Sequence, residues 1–147
     1  MARFTTTTTS LRTPEEVFDY LADMRNAHRW DPGVSTAVLA ASGKHGDVSE
    51  DATFDVTLLL AGRPRHITYR LAHYDRPRRA VLEADDPTFG SLDTISVTPQ
   101  AAGGCEVTYD AVLEPKGPWK VATPLVALAF SRIGRLAAAG LARELGG

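Results

Sequence analysis

The sequence predicts an α+β fold: a curved, seven-stranded antiparallel sheet wrapped around one long C-terminal helix, with two short helices after the first strand. Three observations lead there. Between residues 34 and 115 the hydrophobic period is two, broken by short turn clusters, as in strands joined by tight links. Residues 125–145 then run without a proline and place Val126, Ala129, Phe130, Ile133 and Ala137 on one helical face, with Ser131, Arg132 and Arg135 opposite. The 147 residues, 44% hydrophobic and 23% charged, suit one domain over 1–147, with no internal repeat or linker. A sheet paired with a single helix has to curl to cover that helix's apolar face, and twisted sheets curl readily.

Each element has a local cause. The five threonines at 5–9 sit in β-favouring company, so residues 3–11 read as the first strand. At Thr13-Pro14-Glu15-Glu16 the signals switch to a helix start: Thr13 as N-cap, Pro14 at the first helical position and Glu16 completing a capping box. Val17, Phe18 and Leu21 share a face, with Tyr20 and Met24 beside it, and the pattern ends near Arg25. Residues 26–30 have room for one further turn before Asp31-Pro32-Gly33 stops it. Turn clusters then divide six strands, at 34–41, 53–60, 66–74, 80–84, 89–98 and 105–114, and such short links imply an antiparallel meander. Thr123-Pro124 repeats the cap-then-proline start before the last helix, which only Gly134 and Gly140 interrupt.

Composition narrows the function classes. One cysteine, Cys105, rules out an intrachain disulfide. It opens a strand with no histidine near it in sequence, so it reads as a buried, inert thiol. The four histidines lack metal-ligand spacing, and no phosphate-binding glycine motif or hydrolase elbow occurs, so neither a metal nor any other cofactor is expected. A net charge of −2 speaks against nucleic acid as a partner. No signal-peptide core or transmembrane run is visible, so the expectation is a soluble, cytoplasmic chain. Six arginines crowd into 63–79: Arg63, Arg65, Arg70, Arg76, Arg78 and Arg79. They read as a solvated face among acidic neighbours, with an anionic partner as the sharper alternative.

Several stretches together resemble the SRPBCC superfamily, the START-like or birch-pollen-allergen-like helix-grip fold. They are Leu11-Arg12-Thr13-Pro14-Glu15-Glu16-Val17-Phe18, Trp30-Asp31-Pro32-Gly33-Val34, Tyr74-Asp75-Arg76-Pro77-Arg78-Arg79, Gly103-Gly104-Cys105-Glu106-Val107-Thr108-Tyr109 and the long terminal helix. The order and spacing span nearly the whole chain and are most similar to bacterial polyketide cyclase/dehydrase or lipid-transport-like members. The resemblance implies a cavity between sheet and long helix that holds an apolar ligand. It also implies that the two short helices form a V beneath one end of that helix. Trp30 would then be covered by the long helix and the inner sheet face, either as a core plug or as part of the cavity wall.

Strand parity proposes the inward-facing groups. Ile95 and Val97 select the inner face of their strand and carry Asp93 with them; Ile67, Tyr69, Leu71 and His73 form another inward set. Cys105, Val107, Tyr109, Ala111 and Leu113 form a third. Asp93 is the one charge parity sends inward, a weak candidate for a proton-transfer group, with wetting or an arginine partner as the plainer reading. Tyr69 is placed to donate to a ligand carbonyl, or to be a core tyrosine with a wet hydroxyl. The expected ligand-binding set is Trp30, Phe54, Tyr69, Asp93, Tyr109 and Phe130, and the expected partner is a hydrophobic small molecule: a polyketide, lipid or isoprenoid-like compound. Two rivals remain: an aromatase/cyclase in which cavity tyrosines and Asp93 drive aldol closure and water loss, and an interaction module using the outer face. Binding leads because parity yields isolated polar groups on an apolar face, not a linked acid–base pair.

Overall fold

The computed structural model describes residues 2–60 and 62–146. The side chains at 60, 119, 121–123, 125–127 and 129 lie outside that description, and with them the expected helix-face residues Val126 and Ala129. Strand β1 (Ala2–Ser10) is followed by α1 (Pro14–Ala22) and a 3₁₀ helix (Met24–Arg29). Next come β2 (Val34–Ala41), β3 (Thr53–Leu60), β4 (Arg63–Asp75), β5 (Arg79–Asp85), β6 (Phe89–Pro99) and β7 (Cys105–Pro115). A second 3₁₀ helix (Gly117–Ala122) leads into α2 (Thr123–Leu145). The seven strands form one antiparallel sheet in the order β1-β7-β6-β5-β4-β3-β2. Six of them are therefore a meander, and β1 returns to pair with its last strand.

The threonine run works as a strand edge. Arg3, Thr5, Thr7 and Thr9 face out; the Thr5 hydroxyl donates to Asp110 at 2.7 Å, Arg3 donates to the same carboxylate at 2.9 Å, and Thr7 meets Thr108 at 3.3 Å. Such cross-strand pairs fix the register of β1 on β7. At the start of α1 the Thr13 hydroxyl accepts from the Glu16 backbone N–H at 3.2 Å and donates to its carboxylate at 3.0 Å. Asp23 ends α1 and accepts from the Arg25 N–H, opening the 3₁₀ helix.

One parity expectation fails. His73, expected inward, is exposed, because a register shift between Leu71 and His73 inserts a bulge into β4. A bulge carries the following side chains to the other face. Tyr74 turns toward the core instead and meets Phe18 edge-on, ring centroids 5.3 Å apart.

The glycines of α2 set how closely it lies on the sheet. A Cβ at Gly134 would stand 2.5 Å from the Phe4 ring of β1. One at Gly140 would stand 2.9 Å from the carbonyl carbon of Trp30 and 3.0 Å from its Cα. The C-terminal end of α2 is tied down as well: buried Ser10 donates to the Leu145 carbonyl at 2.7 Å, and Tyr20 of α1 donates to Glu144 at 3.0 Å. Because the obstacle at Gly140 is backbone, Gly140→Ala is expected to cost about 1–3 kcal/mol in urea unfolding. A change below about 0.5 kcal/mol would mean that α2 sits further from Trp30.

Candidate functional site

Beside Trp30 and beneath α2 lies a cavity of about 110 Å³, partly open to solvent. Its floor is the inner sheet face from Phe4 and Thr6 of β1 to Leu58 of β3, and its roof includes Phe130, Ile133, Ala137 and Leu141 of α2. A smaller chamber of about 40 Å³ lies deeper, against Leu21 of α1 and Met24 and Ala27 of the 3₁₀ helix. Trp30, Asp31, Leu58, Tyr69, Asp93 and Tyr109 border both spaces and so form the partition between them.

Five of the six expected residues thus sit on the cavity: Trp30, Tyr69, Asp93, Tyr109 and Phe130. Phe54 does not. It is fully buried and faces the same way as its register partner Tyr69, but borders neither space. Phe54 lies four residues, about 13 Å, back along β3 from Leu58, which does line the cavity. Trp30, 6% exposed, is both core and wall: its ring meets Tyr109 edge-on at 5.1 Å, and its backbone supports α2 at Gly140.

The polar groups of the partition are linked, not isolated as the sequence reading expected. Tyr109 donates to Asp93 Oδ2 at 2.6 Å, Ser91 donates to Oδ1 at 3.4 Å, and Tyr69 donates to Ser91 at 3.1 Å. Sheet register explains the reach. Asp93 lies opposite Ala111 and Tyr109 opposite Ile95, so the two are diagonal neighbours on one face, within range of a tyrosine. Tyr69 is two strands from Ser91, and the residue of β5 opposite Ser91 is only Ala84.

Burial is the main force on the acid. Asp93 is 8% exposed and no arginine reaches it among the described residues. Desolvation pushes its carboxyl up to about 7 against the pull of the Tyr109 hydrogen bond, and the nearby Asp31 carboxyl adds to the rise. Asp31 is itself raised by desolvation, offset by the Gly33 N–H that it accepts at 2.8 Å. Burial and the facing carboxylates hold the Tyr109 hydroxyl well above its usual range, and burial does the same at Tyr69. Asp31 is the site residue the sequence reading missed, since Asp-Pro-Gly reads as a turn. Its side chain makes that turn while lining the cavity.

The other candidate residues lie away from both spaces. Cys105 is fully buried, its thiol raised by desolvation. Four of the six crowded arginines hold carboxylates: Arg65 to Asp86, Arg70 to Asp51 and Glu83, Arg76 to Asp19, and Arg78 to Asp75. Among the described residues no three His, Cys, Asp or Glu side chains gather as a metal site, and no helix is long and apolar enough to cross a membrane.

Residues 1–146 match the family described as polyketide cyclase / dehydrase and lipid transport, and the chain belongs to that family. Solved structures agree on the fold. A START superfamily protein from Mycobacterium smegmatis superposes with a TM-score of 0.79 at 14% identity, covering 99% of this chain and 97% of that one. The Zhui aromatase/cyclase from Streptomyces sp. R1128 superposes with a TM-score of 0.72 at 14% identity, covering 97% and 92%. The di-domain aromatase/cyclase BexL gives 0.71 at 18% identity, this chain matching 46% of its length. No curated protein matches by sequence. The sheet, the long helix and the short helices after β1 are thus arranged as in these START superfamily and aromatase/cyclase structures.

Proposed function

We propose that the protein binds a hydrophobic small molecule, polyketide, lipid or isoprenoid-like, in the cavity between the sheet and α2. The observation that carries this reading is the wall itself: an apolar roof over a floor where apolar side chains surround a few linked polar groups, the usual construction of a small-molecule site. At about 110 Å³ the space is below the roughly 300–1,000 Å³ common for such sites, so it suits a compact ring or the head of a longer molecule. Native mass spectrometry of the purified protein tests the reading. A stoichiometric apolar adduct, released on denaturation, is the expected result; a chain that purifies empty and takes up no apolar compound contradicts it.

A second reading, catalysis of aldol closure and dehydration, is supported by the Tyr109–Asp93 contact, and two of the structural relatives are named aromatase/cyclases. A carboxyl ionising near 7 is suited to exchange protons at neutral pH. Heptane-2,6-dione is a minimal probe, since its closure to 3-methylcyclohex-2-enone releases one water. Turnover lost in Asp93→Asn is the result that would favour a cyclase over a binder.

A further inference from the structure

The hydroxyl protons around Asp93 can be counted. Each of Tyr69, Ser91 and Tyr109 owns one O–H proton, and all three are spent in bonds that run toward the carboxylate: Tyr69 to Ser91, Ser91 to Oδ1, Tyr109 to Oδ2. With Asp93 ionised, both phenol oxygens therefore turn only lone pairs toward the cavity that they line. Add one proton to Asp93 and a donor is released. A proton on Oδ2 donates to the Tyr109 oxygen, and the Tyr109 O–H swings free. A proton on Oδ1 donates to Ser91, Ser91 donates to Tyr69, and the Tyr69 O–H swings free. Either route yields one phenol O–H aimed into the cavity, and no atom heavier than hydrogen has to move.

We propose that the proton on Asp93 selects the ligand's polar group: with it the cavity donates to a carbonyl, and without it the cavity accepts from a hydroxyl. The proposal rests on the reading that a small molecule enters this cavity, and it deepens that reading to a ligand class. Ketone uptake then carries a proton, because a carbonyl facing two phenol lone pairs has no partner. The groups acting on Asp93 from the packed elements are Asp31 beyond the 3₁₀ helix, Tyr69 on β4, and Tyr109 and Asp110 on β7. The α2 residues described on this cavity, among them Phe130, Ile133, Ala137 and Leu141, carry no charge. Ionisation near neutral pH puts the changeover within an accessible range.

Acetophenone and 1-phenylethanol differ only in the group under test. Their affinities for the intact protein, measured by titration at pH 6 and pH 9, provide the experiment. Acetophenone is expected to weaken by about tenfold, the scale of one lost hydrogen bond and a stranded carbonyl. The alcohol, able both to donate and to accept, is expected to change less than about twofold. In Asp93→Asn, whose amide keeps a donor and an acceptor at every pH, acetophenone affinity should become flat. Parallel pH profiles for the two probes, or a ketone profile that survives Asp93→Asn, would overturn the proposal while leaving the binding reading intact. Binding of neither probe at either pH would overturn both.

Discussion

Asp93→Asn is expected to stabilise the fold at pH 8 while leaving it nearly unchanged at pH 4. A carboxyl that ionises near 4 in the unfolded chain and near 7 in the fold keeps its proton longer when folded. Between those values the native state binds more protons than the unfolded state, so stability falls as pH rises through the window, and above it the full cost is present. At about 1.4 kcal/mol per pH unit the cost reaches roughly 4 kcal/mol. Asparagine removes the charge yet still accepts from Tyr109 and donates to Ser91. The difference in unfolding free energy between variant and parent should therefore grow by roughly 4 kcal/mol from pH 4 to pH 8 in urea titrations. Subtraction cancels groups that titrate alike in both chains. A pH-independent difference would mean that Asp93 is hydrated or holds a cation, and both the acid–base and the ligand-selection roles would fall.

The second large effect belongs to Trp30. Its indole is buried between Tyr109 and the approach of α2, so Trp30→Ala removes core contacts and an edge-on aromatic pair and merges the two chambers across the partition. Loss of a buried Trp typically costs about 3–5 kcal/mol. If the vacated volume is a continuous apolar space, free indole should refill it and raise the variant's urea midpoint, because a ligand that binds only the native state stabilises by mass action. The parent chain should show no such gain. A loss below about 1 kcal/mol would show that Trp30 does not plug the helix junction, and a variant blind to indole would show that it does not wall the cavity.

How far this site could be read from sequence depends on which physical rule placed each residue. Parity brought Asp93 and Tyr109 inward because β6 and β7 pair without a break through that region, and Tyr69 because β3 and β4 do the same. The same rule misplaced His73, since nothing in Leu71-Ala72-His73 announces the bulge that β4 makes against β5. Phe54 was named as cavity lining and is core instead, because period two carries no information on where along a strand a cavity begins. The linkage of Tyr69, Ser91, Asp93 and Tyr109 depends on register across the four strands β4 to β7, and turn lengths alone left that register open. Asp31 was hidden by doing two things: its carboxylate holds the Gly33 N–H, a local task visible in sequence, and it faces a cavity built by distant residues. The helix glycines, read as interruptions, are instead the two places where α2 approaches Phe4 and Trp30.

That the cavity under α2 is where a ligand sits is tested most directly by methyl-resolved NMR during an acetophenone titration at pH 6. Leu58, Leu113, Ile133 and Leu141 line the cavity, whereas Val38 and Leu92 are exposed elsewhere on the sheet. The expected result is saturable shifts of the first four with one common affinity, and Val38 and Leu92 unmoved. Shifts confined to Val38 and Leu92, or no saturable shift at all, would contradict a ligand site between the sheet and the long helix.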